Sequence, residues 1–301
     1  FVCSFPLCAR DRRQLFRPVR RLSRRVILSE KHPGRENKNE HLPGYTVRRT
    51  EDCPEQHGTL TLLTHDVSGA AVLLVENEDV NKAFGIGFGT FPSDDTGVFH
   101  ILEHSVLAGS EKYPVSSPFG QLLKSSMASF LNAMTFPDKT VYPFATPNET
   151  DFCNLMDVYL NAVFCPLAMV DSAVFEQEGW HRDADGTVSG VVYNEMQGAL
   201  ASPDAQLQNA LQRAMFPDTA YGFVSGGDPA SIPALTYEKY QRVYRRHYRA
   251  DTCCITLYGK MDMADTLARP AKDSLSKMPK AAARPRPPLH AQHPGAFEHL
   301  P

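Results

Sequence analysis

The sequence predicts an α+β fold, a layered mixed sheet with helices packed on it. Two patterns and their order support this. Short β-rich runs at Leu60, Leu62 and Val72 to Val75 precede Ala83-Phe-Gly-Ile-Gly-Phe-Gly-Thr90, where apolar and small residues alternate. Phe152, Leu155, Met156, Tyr159, Leu160 and Val163 recur at helical spacing within 148–164. Because such runs are interspersed along the chain, one sheet with helices layered against it is the expected arrangement.

Residues 1–43 are expected to form a basic extension, either a targeting presequence or a disordered arm. Residues 1–28 carry eight arginines and a single acid, Asp11. Globular patterning starts at residue 44. In the 83–90 run, Phe84, Ile86 and Phe88 point to one face, and the glycines opposite leave room for a helix or another backbone. Ser93-Asp-Asp-Thr96 supplies turn and capping chemistry for a helix from Gly97. Further helices are expected near 116–130, 148–164, 171–181, 196–214 and 236–248, with Asn148 as a cap. Strands are expected at 188–193 and 252–258. The domain is expected to span 44–268, and 269–301 reads as a proline-rich linker or disordered tail. The start at Phe1 and the proline-rich end suggest the N-terminal part of a longer product.

Of 301 residues, 42% are hydrophobic, enough for a well-buried core. A formal net charge of −3 gives no reason to expect nucleic acid or an anionic membrane as partner. No apolar run approaches the length of a membrane span. Seven cysteines without CxxC spacing favour a reducing compartment over a disulfide framework. The compartment stays open between a bacterial cytoplasm and a mitochondrial or plastid interior.

The chemistry concentrates in His100-Ile-Leu-Glu-His104. Positions four apart on a helix share a face one turn apart, so His100 and His104 can meet one zinc ion. Glu103 flanks that face and can take a proton from water that the metal activates. Val98, Phe99, Ile101, Leu102, Val106 and Leu107 make the helix apolar nearly all round. Buried, its polar residues need partners. A catalytic zinc needs a third protein ligand. Glu176, Glu178 and Glu195 are the downstream candidates, with Glu195 slightly ahead by its position where a strand-like run meets a helix.

The run from Thr96 to Pro114 resembles the presequence protease branch of the pitrilysin-type (M16) metallopeptidases. So do Phe130-Leu-Asn-Ala-Met-Thr-Phe-Pro-Asp-Lys-Thr140, Gln177-Glu-Gly-Trp180, Val191-Val-Tyr-Asn-Glu-Met-Gln-Gly198 and Ser225-Gly-Gly-Asp-Pro229. The resemblance covers roughly residues 45–265, with the blocks in the family's order. It implies the fold of the family's N-terminal domains, with one zinc per chain on His100, His104 and Glu195 and Glu103 as base. It implies that Ser129 to Met134 is an edge strand to which an extended peptide adds, with Asn132 and Ala133 flanking the scissile bond. On residue preference alone, Asn132 also suits a turn that caps the strand. Glu178 is implied as a residue that orients a ligand.

The expected activity is a zinc endopeptidase for short unstructured peptides, such as cleaved targeting sequences, working with a C-terminal half of the same full-length chain. These residues alone are expected to bind zinc and cleave poorly. The alternatives are a catalytically silent, peptide-binding or structural relative and a heterodimeric processing peptidase. Against the first stands the intact set of His100, Glu103, His104 and Glu195. Against the second, the blocks around Glu195 and Ser225 fit the single-chain branch better.

Overall fold

The structure is a computed structural model and describes residues 42–115 and 118–278. The described chain runs β1 (Tyr45–Cys53), β2 (Gly58–His65), β3 (Ala71–Glu76), β4 (Lys82–Gly89), α1 (Val98–Val106), α2 (Pro118–Ser125), β5 (Phe130–Leu131), β6 (Met134–Thr135) and β7 (Lys139–Thr146). It continues through α3 (Glu149–Phe164), α4 (Ser172–Glu178), β8 (His181–Arg182), β9 (Val188–Ser189), α5 (Val191–Ala199), α6 (Pro203–Met215), α7 (Tyr237–His247), β10 (Cys253–Gly259) and α8 (Met263–Asp273). The mixed sheet of the α+β fold is present. Its order is β1-β2-β3-β10-β4-β7-β5, and β6 also pairs with β7. Among the described residues only β3 and β10 run parallel. Late in the chain, β10 inserts between β3 and β4, so the sheet closes only after residue 253 has joined it.

Alternation in β4 drives the layering. Phe84, Ile86 and Phe88 are buried against Tyr142 and Phe144 of β7, Phe152 and Tyr159 of α3, and Tyr248 after α7. Phe84 stacks on Phe144 at 5.1 Å between ring centroids, and Phe88 on Tyr248 at 4.5 Å. The glycine face differs from expectation. A Cβ at Gly85 would meet nothing within 4 Å, and one at Gly87 would approach Val141 Cγ1 at 3.1 Å. Among the described residues no helix lies against those glycines, because the helices that cover β4 pack on its aromatic face.

Three boundaries also move. The helix expected over 116–130 is α2, which stops at Ser125 because the chain extends at Phe130 to pair with β7. The apolar run 188–193 is not one strand. It leaves β9 at Ser189, turns at Gly190 (φ +149°) and starts α5 at Val191. The helix expected over 196–214 is two helices, since Ser202 caps a new one through the Ala205 N–H with Pro203 at its first position.

The basic arm up to residue 41 and the tail from residue 279 lie outside the described residues. Within them, α8 runs on past residue 268, and Leu275 beyond it is fully buried. Among the described residues no helix is long and apolar enough to cross a membrane.

The two faces of β4 predict opposite mutational responses. Phe84→Ala should cost about 3–5 kcal/mol through the cavity it opens. Gly85→Ala next to it should change stability by less than about 1 kcal/mol, there being nothing for its methyl to displace. Urea unfolding of both variants checks the pair, and equal costs would contradict this layering.

Candidate metal centre

Helix α1 begins at Gly97, whose φ of +64° is left-handed, and no side chain caps it. The expected capping residues act elsewhere: Asp94 accepts from Thr96 N–H and pairs with Lys239 Nζ at 2.6 Å. Along α1 every residue but His104 is buried, His100 and Glu103 included. The two imidazoles stack edge to face with centroids 4.9 Å apart, one turn apart as the spacing requires.

Glu195 lies in the middle of α5 rather than at its start. A close backbone crossing brings this helix to α1. A Cβ on Gly190 would fall 2.3 Å from the carbonyl oxygen of Gly179, so the start of α5 rests directly on the end of α4. Tyr193 N–H donates to that same carbonyl at 3.3 Å. The crossing delivers two carboxylates together. Glu195 Oε1 is 3.9 Å from His100 Nε2 and its Oε2 is 3.7 Å from His104 Nε2. Glu178 Oε2 stands 3.6 Å from His104 Nδ1, on the far side of that ring.

His100, His104 and Glu195 form a set whose donor atoms lie within 4.8 Å of one another. Two atoms bonded to one zinc at about 2.1 Å can be at most about 4.2 Å apart, and both imidazole–carboxylate distances fall inside that limit. Two imidazoles and a carboxylate are a donor set that suits zinc, and the residues fit the ion. Glu176 is exposed and takes no part, its backbone carbonyl accepting from the His181 ring instead.

One contact had no signal in the residue pattern. His100 Nδ1 donates to the carbonyl of Gly226 at 2.9 Å, which leaves Nε2 facing Glu195. Gly226 belongs to the Ser225-Gly-Gly-Asp-Pro229 block, and a backbone oxygen has no sequence signature of its own.

Asn132 and Ala133 sit in the break between β5 and β6 at the edge of the sheet. Asn132 N–H still pairs with Pro143 O at 3.1 Å, while its side-chain oxygen accepts from Ala133 N–H at 2.9 Å. The Asn132 side chain thus serves the local turn. Its carbonyl accepts from Tyr159 Oη at 3.2 Å.

Residues 79–222 match the family Insulinase (Peptidase family M16). The chain is 46% identical over 224 residues to "Presequence protease 1, chloroplastic/mitochondrial" of Arabidopsis thaliana, covering 73% of this chain and 21% of that protein. It is 41% identical over 260 residues to "Presequence protease, mitochondrial" of Xenopus tropicalis, covering 82% of this chain and 25% of that one. Over residues 79–222 the chain carries a peptidase family M16 segment. A crystal structure of pitrilysin superposes with a TM-score of 0.60 at 19% identity, over 79% of this chain and 25% of pitrilysin, and shows the fold to be shared. The chain spans about a fifth to a quarter of the length of these relatives.

Burial alone would lower the pKa of His104 below its ordinary 6.5. The hydrogen-bonding carboxylate of Glu178 and the fields of Glu103 and Glu195 outweigh burial and raise it. A proton held more tightly in the folded state adds stability below pH 6.5, and this stability is lost as pH rises through the raised value. In the metal-free protein, Glu178→Gln should therefore lower the His104 titration midpoint. Imidazole NMR against pH checks this, and an unmoved midpoint would refute the pairing.

Proposed function

We propose that this chain is the zinc-bearing part of an M16 endopeptidase for short, unstructured peptides. One zinc per chain is held by His100, His104 and Glu195. The observation that carries the reading is the convergence of those three side chains from two helices, with Glu103 buried one residue from His104 on the same helix. When bound, zinc supplies Lewis-acid polarisation of the peptide carbonyl and makes water a better nucleophile.

Glu103 accepts the proton of the attacking water on its carboxylate and returns it to the leaving amine. Burial of that carboxylate keeps bulk water from competing for the proton. Glu178, through His104 Nδ1, fixes the orientation of that ring. The substrate backbone adds to the sheet edge at β5 and β6, whose strands are too short to complete a ladder. Asn132 and Ala133 flank the scissile bond there, the break between the strands lying beneath it. Main-chain pairing of this kind selects for extended peptides and against folded proteins.

The presequence proteases among the relatives support a peptide substrate, cleaved targeting sequences being the class to test first. Because these residues span only 21–25% of such relatives, full turnover depends on a C-terminal half of the same chain. Alone, the 301 residues bind zinc but cleave slowly.

Metal analysis and peptide assays on the chain, and on its longer gene product, test this. Glu103→Gln should keep one zinc and lose about 10²–10⁴-fold in turnover, the range for a general base. A silent peptide-binding subunit would keep zinc and show no turnover to lose, and a variant as active as the parent would remove Glu103 from the mechanism. A chelator should abolish cleavage and lower the melting temperature, since an ion bound only by the folded state stabilises it by mass action. A melting temperature indifferent to chelator would argue against the site.

A further inference from the structure

The zinc reading leaves open what aims the His100 ring. Its Nδ1 partner, the carbonyl of Gly226, sits on a segment with no side chains to hold it, Gly226-Gly227, where Gly227 has φ +100°. Two adjacent glycines have the widest conformational freedom of any dipeptide. Gly227 N–H donates to Val224 O at 2.9 Å and closes a turn around Gly226, so what remains to be fixed is where that turn sits against His100.

Asp95 holds both ends of the loop. Val224 N–H donates to Asp95 Oδ1 at 2.8 Å, and Asp228 N–H donates to the Asp95 carbonyl at 2.8 Å. The Asp95 carboxylate is itself gripped by Arg213 Nη2 of α6, at 2.9 Å to each oxygen. Between these two anchors the loop is pressed between the helices that carry the metal donors. A Cβ on Gly97 would lie 2.6 Å from Gly226 O, and a Cβ on Gly226 would lie 2.8 Å from Met196 Sδ on α5. A shift of the loop would therefore move the His100 acceptor relative to Glu195, the neighbour of Met196.

We propose that Asp95 is a positioning residue for the metal centre: by clamping Val224 and Asp228 it aims the Gly226 carbonyl at His100 Nδ1, and so fixes the ring that faces Glu195. It touches neither metal nor peptide. The inference rests on the zinc reading of the site, and the test separates the two.

Cobalt(II) and zinc binding are measured on the parent chain, on Asp95→Ala and on Asp95→Asn, by chelator competition and by the visible spectrum of the cobalt form. A parent chain that binds neither ion sinks the zinc reading itself. Given binding, Asp95→Ala should weaken it by about 10-fold or more, the scale of outer-shell losses, and shift the cobalt bands. Asp95→Asn, which keeps an oxygen for Val224 N–H but loses the charge, should stay within about 3-fold of the parent, below that scale. Equal losses in both variants would assign the effect to charge rather than to the clamp and overturn the proposal. Unchanged binding and bands in Asp95→Ala, with only a lower melting temperature, would overturn it too. Should Asp95→Ala not fold, hydrogen exchange on the parent decides. Zinc must raise protection of the Val224 and Asp228 amides, by the reciprocity of coupled equilibria, and no change would refute the clamp.

Discussion

An imidazole taken out of water must have both ring nitrogens satisfied, and α1 buries one imidazole and half-buries another beside a buried glutamate. The rest of the local structure follows from that demand. Gly226 O answers His100 Nδ1 and Glu178 answers His104 Nδ1, one a backbone oxygen and the other a carboxylate. The two Nε2 atoms are thereby left to Glu195. Two crossings without side chains make room for these partners, Gly97 on Gly226-Gly227 and Gly190 on Gly179. Any Cβ at those crossings would push apart the helices that carry the donors.

What could be read in the sequence divides along physical lines. The pentapeptide from His100 to His104 is legible because helical spacing alone decides which residues share a face. The β4 aromatics are legible for the same reason with a period of two. Glu195 could be ranked but not placed, since whether Val191-Val-Tyr193 is strand or helix depends on the turn at Gly190. Residue pattern alone runs a helix through the start of the edge strand after α2, because pairing with β7 overrides local preference, and only the family resemblance pointed to a strand there. Gly226 O and the Asp95 clamp were invisible, being made of backbone groups and of a contact 129 residues apart in sequence.

Topology adds its own constraint. Since β10 lies between β3 and β4, residues 71–89 cannot complete their sheet until residues 253–259 arrive. The segment after α6 that carries Gly226 precedes β10, so the loop that aims His100 is enclosed within the stretch this late strand closes. The site is thus assembled by the same non-local pairing that completes the core, and such pairings form slowly because a long loop must close first.

The charge balance at the centre sets what the site attracts. Glu103, Glu178 and Glu195 all act on His104, and a cation of either kind relieves their mutual repulsion. A proton on the imidazole does so at low pH, and under the proposed function a divalent ion would do so at neutral pH, where a ligating imidazole must be neutral. Proton and metal would then compete for one field. Small zinc domains unfold when stripped because the ion stands in for a core. Here the core is a continuous aromatic and aliphatic layer that runs from Phe84, Phe88, Tyr142, Phe144 and Tyr159 into Ile101 and Leu102 of α1 and Val192 and Met196 of α5. A core of that extent can hold three carboxylates around two imidazoles, and in the proposed function the ion would serve chemistry rather than architecture.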